Sequence, residues 1–359
     1  MKKFAILTIY GMDNFGNRLQ NFALQEFIKE NFGDIETIEN IEGIHSLNKS
    51  SVLKFKIKNY IRAHIPRNKL WKKYACFYQF NRLIKISNIH IDTRHIPEYL
   101  YKKYDYFLTG SDQVWNPNFG RISDIDFLTF ADERQRIAFS ASFGISKLEN
   151  GEKNYFYERI KNIPHISVRE DSAKKIIEEL NVETPVEVLV DPTMLIDSKK
   201  WLSVSKKPKG FPNKKYIFKY FLGKMSDEKN KELEVLAIAN DWEIVDILNS
   251  NDPCYVSGPA EFLYLEKHAE LVITDSFHSC VFAILFSVPF KVYLRDDKNK
   301  DMSTRLQTLL TKFDLNNCLY NGNLNFDSLF VDYSNVSNIL DIEKSKAIEF
   351  IAKSLYVDK

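Results

Sequence analysis

Short apolar runs alternate with stretches of helical spacing from one end of the chain to the other. In the first half, residues 4–10, 35–39, 106–109, 136–140, 165–168 and 186–190 predict strands; 216–222, 243–247, 271–274 and 290–294 predict strands in the second. Helical periodicity covers 17–31, closed by Gly33, then 152–162 and 171–181, with two basic helices inside 52–86 and a last helix over 336–356. Strands that alternate with helices form parallel sheets covered on both faces. The tract 206–215, rich in Lys, Pro and Gly, breaks the alternation and is expected to be a linker. The expected fold class is therefore α/β, with two Rossmann-like doubly wound domains and a cleft between them. The first, 1–205, includes the basic helical segment 43–91; the second is 206–332, and a C-terminal helix, 333–359, packs back on the first domain.

Composition narrows the classes. At 359 residues, with 44% hydrophobic and 14% aromatic content, the chain can build two cores. No apolar run reaches the roughly 20 residues of a membrane span; the longest candidate, 280–294, contains Pro289 and Lys291. The basic start Lys2-Lys3 ahead of 4–10 looks like a leader, but its apolar core is too short and 14–20 is polar, so it reads as the first strand. Cys76, Cys254, Cys280 and Cys318 are scattered without metal-ligand spacing, as expected of reduced packing thiols in a cytoplasmic protein without a metal. Charge changes the picture more. Between 43 and 91 there is no Asp or Glu, while eleven Lys and Arg are interleaved with seven aromatic residues; taking these 11 from the net +2 leaves −9 on the remainder. Such a segment suits an anionic membrane surface or a pyrophosphate-bearing partner, or is simply a solvated helical face with its aromatics turned inward. No nucleic-acid motif accompanies it.

The candidate chemistry gathers at strand ends. Residues 258–293 read as helix, strand, polar turn, helix and strand, with Asp275, Ser276 and His278 in the turn. That puts His278 at the carboxyl end of a strand and beside a helix N-terminus, where ligands bind in open α/β sheets and where the helix dipole favours an anion. A histidine there can deliver protons or merely cap the helix. Lys291, Arg295 and Arg305 follow as further cations. The loop 11–17 carries two glycines but neither phosphate-loop spacing, and it leads from Asn14 into Asn17, Asn21 and Gln25, an amide stripe at i, i+4 and i+8. Either hydroxyl recognition or plain exposure explains that stripe. After the strand at 106–109 come Ser111, Asp112, Gln113, Trp115 and Asn116, side chains suited to a sugar, with Asp112 as a simple N-cap the alternative. Arg169 stands just past another strand, poised to grip a phosphate or carboxylate in bidentate fashion or to pair with Glu170. Asp191-Pro192 reads as a structural stop.

In order, NFGNRLQNFALQ, TGSDQVWNP, SVRED, VDPTMLI, GPAEFLYL, ITDSFHSCVFAILFSVPF and MSTRLQTLL resemble the polysaccharide pyruvyl transferase family over about 1–312. The resemblance implies a GT-B-like fold and transfer of the pyruvyl group of phosphoenolpyruvate to two hydroxyls of a hexose, forming a ketal and releasing phosphate. It implies His278 as acid/base and Arg169 as a ligand of the donor, with no cofactor. Several members carry Arg two residues before the histidine; this chain has Ser276, so Lys291, Arg295 or Arg305 has to supply that cation, or the donor differs. The donor side would be the second domain, with Asp275 and Ser276, and the acceptor side the first. Exopolysaccharide or capsule assembly at the cell envelope follows, with a polyprenyl-diphosphate-linked oligosaccharide as acceptor. The protein would then be cytoplasmic, peripheral on the inner membrane leaflet through 43–91. A nucleotide-sugar glycosyltransferase of GT-B type and a non-catalytic sugar-binding homologue are the alternatives.

Overall fold

The structure, a computed structural model, describes residues 1–9, 14–42, 49–120, 122–295, 303–324 and 326–355, and their side chains apart from 49–56, 303, 327 and 328. The strand end Tyr10, the turn 11–13 and the helix end Tyr356 lie outside the described residues. Two compact units divide the chain: Met1–Val52, Arg82–Ile196 and Leu340–Lys359 form the first, Leu53–Asn81 and Asp197–Ile339 the second.

Seven strands form the sheet of the first unit: β1 (Lys2–Leu7), β2 (Gly33–Asn40), β3 (Ile86–Ile91), β4 (Tyr106–Thr109), β5 (Arg136–Ala141), β6 (His165–Val168) and β7 (Val186–Val188). They lie in the order β3-β2-β1-β4-β5-β6-β7 and every pairing is parallel. Because helices cover both faces, β1 is buried from Phe4 to Leu7 on both sides of its pleat. Ala5 and Leu7 join Ile38, Leu100 and Phe107 in one apolar cluster, whereas Phe4 stacks on Tyr106 at 5.6 Å. Helix α1 (Phe15–Asn31) starts where Asn14 accepts the Asn17 N–H at 3.1 Å. After the single turn α4 (Leu100–Lys103), side chains of α5 (Asn150–Ile160) and α6 (Asp171–Glu179) close a second cluster over β5 and β6. The last helix, α12 (Val336–Leu355), packs back on this sheet: Phe350 meets Phe139 at 6.1 Å and the Tyr106 hydroxyl donates to the Leu355 carbonyl. Strand β3 is absent from the sequence reading; it is the edge strand, with only two of its six positions buried, so its alternation is faint.

The second unit has its own parallel sheet, β8 (Tyr216–Tyr220), β9 (Glu243–Val245), β10 (Leu271–Thr274) and β11 (Phe290–Val292), in the order β11-β10-β8-β9. Its helices are α7 (Ser198–Val204), α8 (Asp227–Ala239), α9 (Pro259–His268), α10 (Phe277–Phe286) and α11 (Ser303–Lys312). The boundary falls at Ile196/Asp197, ahead of α7, because the fully buried Trp201 meets Phe282 edge-on at 5.0 Å. Residues 206–215 are built into this unit too, with the Lys206 N–H donating to the Ala260 carbonyl. They are not a linker between the units. The basic stretch also departs from expectation. Of its helices α2 (Lys49–His64) and α3 (Lys69–Asn81), α3 lies on α9 in the second unit: a Cβ on Gly258 would come within 2.7 Å of the Cys76 Cβ, so glycine permits the contact. Ala75, Phe77 and Phe80 are buried there, and Lys69 and Lys73 donate to the carbonyls of Ser250 and Ile247. No helix among the described residues is long and apolar enough to cross a membrane.

Candidate functional site

Strand order reverses between β1 and β4 in the first sheet and between β8 and β10 in the second. In open α/β sheets a ligand binds at the carboxyl ends of the strands at such a reversal. The candidate residues fall at both reversals.

In the second unit, the Thr274 hydroxyl donates to the Tyr220 carbonyl at 2.7 Å and accepts the Ser276 N–H, turning the chain from β10 into α10. Asp275 then ties three loops together. Its carboxylate accepts the N–H groups of Leu222 (2.7 Å) and Gly223 (2.8 Å), which follow β8, and Nε of Arg295 (2.7 Å), which follows β11. Expected as a donor ligand, Asp275 is already engaged as a bracket that holds the strand ends. Ser276 is the N-cap of α10 but its side chain makes no capping bond, so the N-terminal partial charge of a ten-residue helix is not offset from that position. His278 is the second residue of this helix, 9% exposed, its ring edge-on to Phe277 at 5.4 Å. The Arg305 guanidinium from α11 lies 5.9 Å from the centre of the Phe277 ring, which brings a cation to the same strand end. Beneath, Ser279 donates to the fully buried Glu266 of α9, fixing the helix start; burial pushes that carboxyl well above its usual range. Lys291 does not join the group. Its ammonium donates to the Asn317 carbonyl at 2.8 Å, and burial draws its pKa below the usual lysine value.

At the reversal in the first unit, Gly110 follows β4 with φ at 111°, and a Cβ there would lie 2.3 Å from the Phe139 carbonyl oxygen. Only glycine makes this turn. Next, the Ser111 hydroxyl donates to Asp191 at 2.9 Å, and the same carboxylate oxygen accepts from Arg169 at 2.7 Å. Arg169 also donates to Asp112 at 3.3 Å and stands 3.9 Å from Glu170. Its side chain is 1% exposed. Burial works against the charged guanidinium, but Asp191, Asp112 and Glu170 outweigh it and hold the pKa above the ordinary arginine value. The sequence reading made Arg169 a ligand of the donor; the structure gives it carboxylates from the loops after β4 and β7 as partners, which makes it a positioning residue. Asp191, read as a structural stop, is the hub of this network, accepting also the N–H and hydroxyl of Thr193. Its turn with Thr193 is local, but nothing local signals the hub, because Arg169 and Ser111 lie 22 and 80 residues earlier in the chain.

Several expected acceptor ligands are likewise committed inside this unit. Trp115 is fully buried, stacks on Phe127 at 5.7 Å and donates its indole N–H to the Asp126 carbonyl. It is a core residue, not a platform for a sugar. Asn116 donates to Gln113 at 2.6 Å and caps the following turn. The amide stripe of α1 is buried rather than presented. The Thr37 hydroxyl on β2 donates to Asn21 at 2.7 Å and accepts from Gln25 at 2.8 Å, and Gln25 exchanges two further bonds with the Lys85 backbone. Asn17 stands apart from this network: its carbonyl accepts from Gln20, which also donates to Thr8 on the loop after β1. Replacing Thr37 with Val leaves buried amide groups short of a partner, and the urea-unfolding free energy is expected to fall by about 1–3 kcal/mol. An unchanged midpoint would show that the stripe is not held from β2.

Among the described residues no group of three His, Cys, Asp or Glu could hold a metal ion. Burial pushes the thiols up, Cys76 to about 11 and Cys254 and Cys318 to about 12, so they are poor nucleophiles.

No curated protein matches the chain by sequence. In fold it is similar to a UDP-GlcNAc 2-epimerase from Neisseria meningitidis, with 10% identity, 99% of each chain covered and a TM-score of 0.50. It is also similar to a putative UDP-N-acetylglucosamine 2-epimerase from Listeria monocytogenes, at 11% identity, 98% of this chain, 90% of that one and a TM-score of 0.49. The first of these likenesses shows the GT-B-like α/β architecture and nothing of the ligand. The sequence profile of polysaccharide pyruvyl transferase matches residues 14–296, from the cap of α1 to the residue after Arg295, and so includes the ends of β4, β8 and β10. The match covers most of the chain, and this protein belongs to the polysaccharide pyruvyl transferase family.

Proposed function

We propose that this protein transfers the pyruvyl group of phosphoenolpyruvate to two hydroxyls of one hexose. Family membership implies a transferase. The observation that carries the reading further is His278 on the first turn of α10, at the strand reversal of the second unit, with Arg305 over the neighbouring ring. A phosphate and a carboxylate need N–H groups and cations, and a helix N-terminus beside a guanidinium offers both. Arg305 and Arg295 then take the place of the arginine that Ser276 replaces, and no cofactor is required. In the reaction, the methylene carbon of the donor gains a proton, one sugar hydroxyl bonds to the adjacent carbon, and the second hydroxyl displaces phosphate. Of the two hydroxyl protons released, one balances the new methyl group and one leaves with phosphate. His278 moves these protons. On the acceptor side, Asn14, the exposed cap of α1 after β1 at the first reversal, is the polar group best suited to a sugar hydroxyl. The acceptor is read as a cell-envelope oligosaccharide carried on a polyprenyl diphosphate.

The test is to incubate the protein with phosphoenolpyruvate and a panel of hexosides in deuterated water. Phosphate release with one deuterium in the new ketal methyl is the expected result. Glycosyl transfer from a nucleotide sugar, without deuterium in the product, would replace this reading with a glycosyltransferase.

A further inference from the structure

We propose that the exposed face of α2 rests on an anionic phospholipid bilayer. This inference stands whether or not phosphoenolpyruvate is the donor. The basic segment divides into two parts with different fates. Helix α3 buries Ala75, Phe77 and Phe80 and commits two of its lysines inside the second unit, and Lys85 pairs with Asp34. The end of α2 is tied to α3 by His64, whose ring stacks on Tyr60 at 4.0 Å and meets Tyr78 edge-on at 5.3 Å. That contact leaves Ile57, Ile61 and Ile65 outside. They sit at i, i+4 and i+8 on one stripe, which the Ile65 N–H to Ile61 carbonyl bond continues past the helix end. They are 50%, 38% and 60% exposed, with Tyr60 beside them at 58%.

Single exposed apolar residues are ordinary, but an aligned stripe marks a contact surface. Charge selects the occupant. Lys58 and Arg67 are exposed beside the stripe, and no acidic residue occurs from 43 to 91. Two copies of so basic a face would repel each other, whereas anionic headgroups attract it while the isoleucines enter the acyl boundary.

The experiment is flotation of the full-length protein with vesicles of phosphatidylglycerol and phosphatidylcholine in equal parts, and with phosphatidylcholine alone. The wild type is expected to float with the anionic vesicles only, and less as salt rises from about 0.05 to 0.5 M. Each basic charge near such a surface is worth about fivefold in partitioning, so Lys58→Glu with Arg67→Glu should weaken binding at least about 25-fold. The triple variant Ile57→Ser, Ile61→Ser, Ile65→Ser should lose flotation and keep the wild-type thermal midpoint; if it does not fold, the charge pair decides alone. Equal binding to neutral vesicles, or unchanged flotation in these variants, overturns the proposal. So does a wild-type dimer that the triple variant turns into a monomer, which would make the stripe an interface between copies.

Discussion

Replacing His278 with Gln is expected to lower turnover by about 10²–10⁴, the range of a lost general acid or base, while the thermal midpoint stays close to that of the wild type. Gln keeps much of the size of the ring and places no charge at the start of α10, so the helix and its Ser279–Glu266 tie should survive. The loss should fall on the rate and leave donor binding nearly intact, because the α10 N-terminus and Arg305 are unchanged. Deuterium incorporation into the ketal methyl should fall in step with phosphate release. Initial rates and calorimetric binding of phosphoenolpyruvate on the same preparation separate the two effects. Unaltered turnover would remove His278 from the chemistry and leave it as a packing residue beside Phe277.

Arg169→Ala is expected to act on folding rather than on donor affinity. It leaves Asp191 and Asp112 buried without their cation. Breaking a buried ion pair from one side costs about 3–5 kcal/mol. In a unit of this size that lowers the thermal midpoint by on the order of 10 °C. The turn carrying Ser111 should loosen with it, since both groups donate to the same Asp191 oxygen. A variant that melts like the wild type but binds phosphoenolpyruvate weakly would reverse the assignment and return Arg169 to the donor.

The contrast between these two residues shows where the sequence is informative. Both stand just past a strand, at the start of a helix, and both have the chemistry of a site. For His278 the local pattern suffices to place it, because a strand end followed by a helix start is written within a few residues. For Arg169 the deciding fact is the partner, and Asp191 and Asp112 lie 22 and 57 residues away in the chain. The amide stripe fails for the same reason. Spacing puts Asn21 and Gln25 on one face of α1, but only the sheet shows that this face meets Thr37 and not water. Trp115 beside polar neighbours looks like a sugar platform until Phe127 is seen against its ring.

By itself, the sequence determined the alternation of strands and helices, the parallel α/β class, the family and the strand ends at which the polar residues gather. These are local properties, set by hydrophobic periodicity, turn residues and short motifs. Tertiary structure alone decided which of the gathered side chains are already partnered, that α3 belongs with α9 some 180 residues later, and which face of α2 stays uncovered. Partnership and burial depend on contacts between segments distant in the chain. A single sequence records the two groups of such a contact but not that they meet.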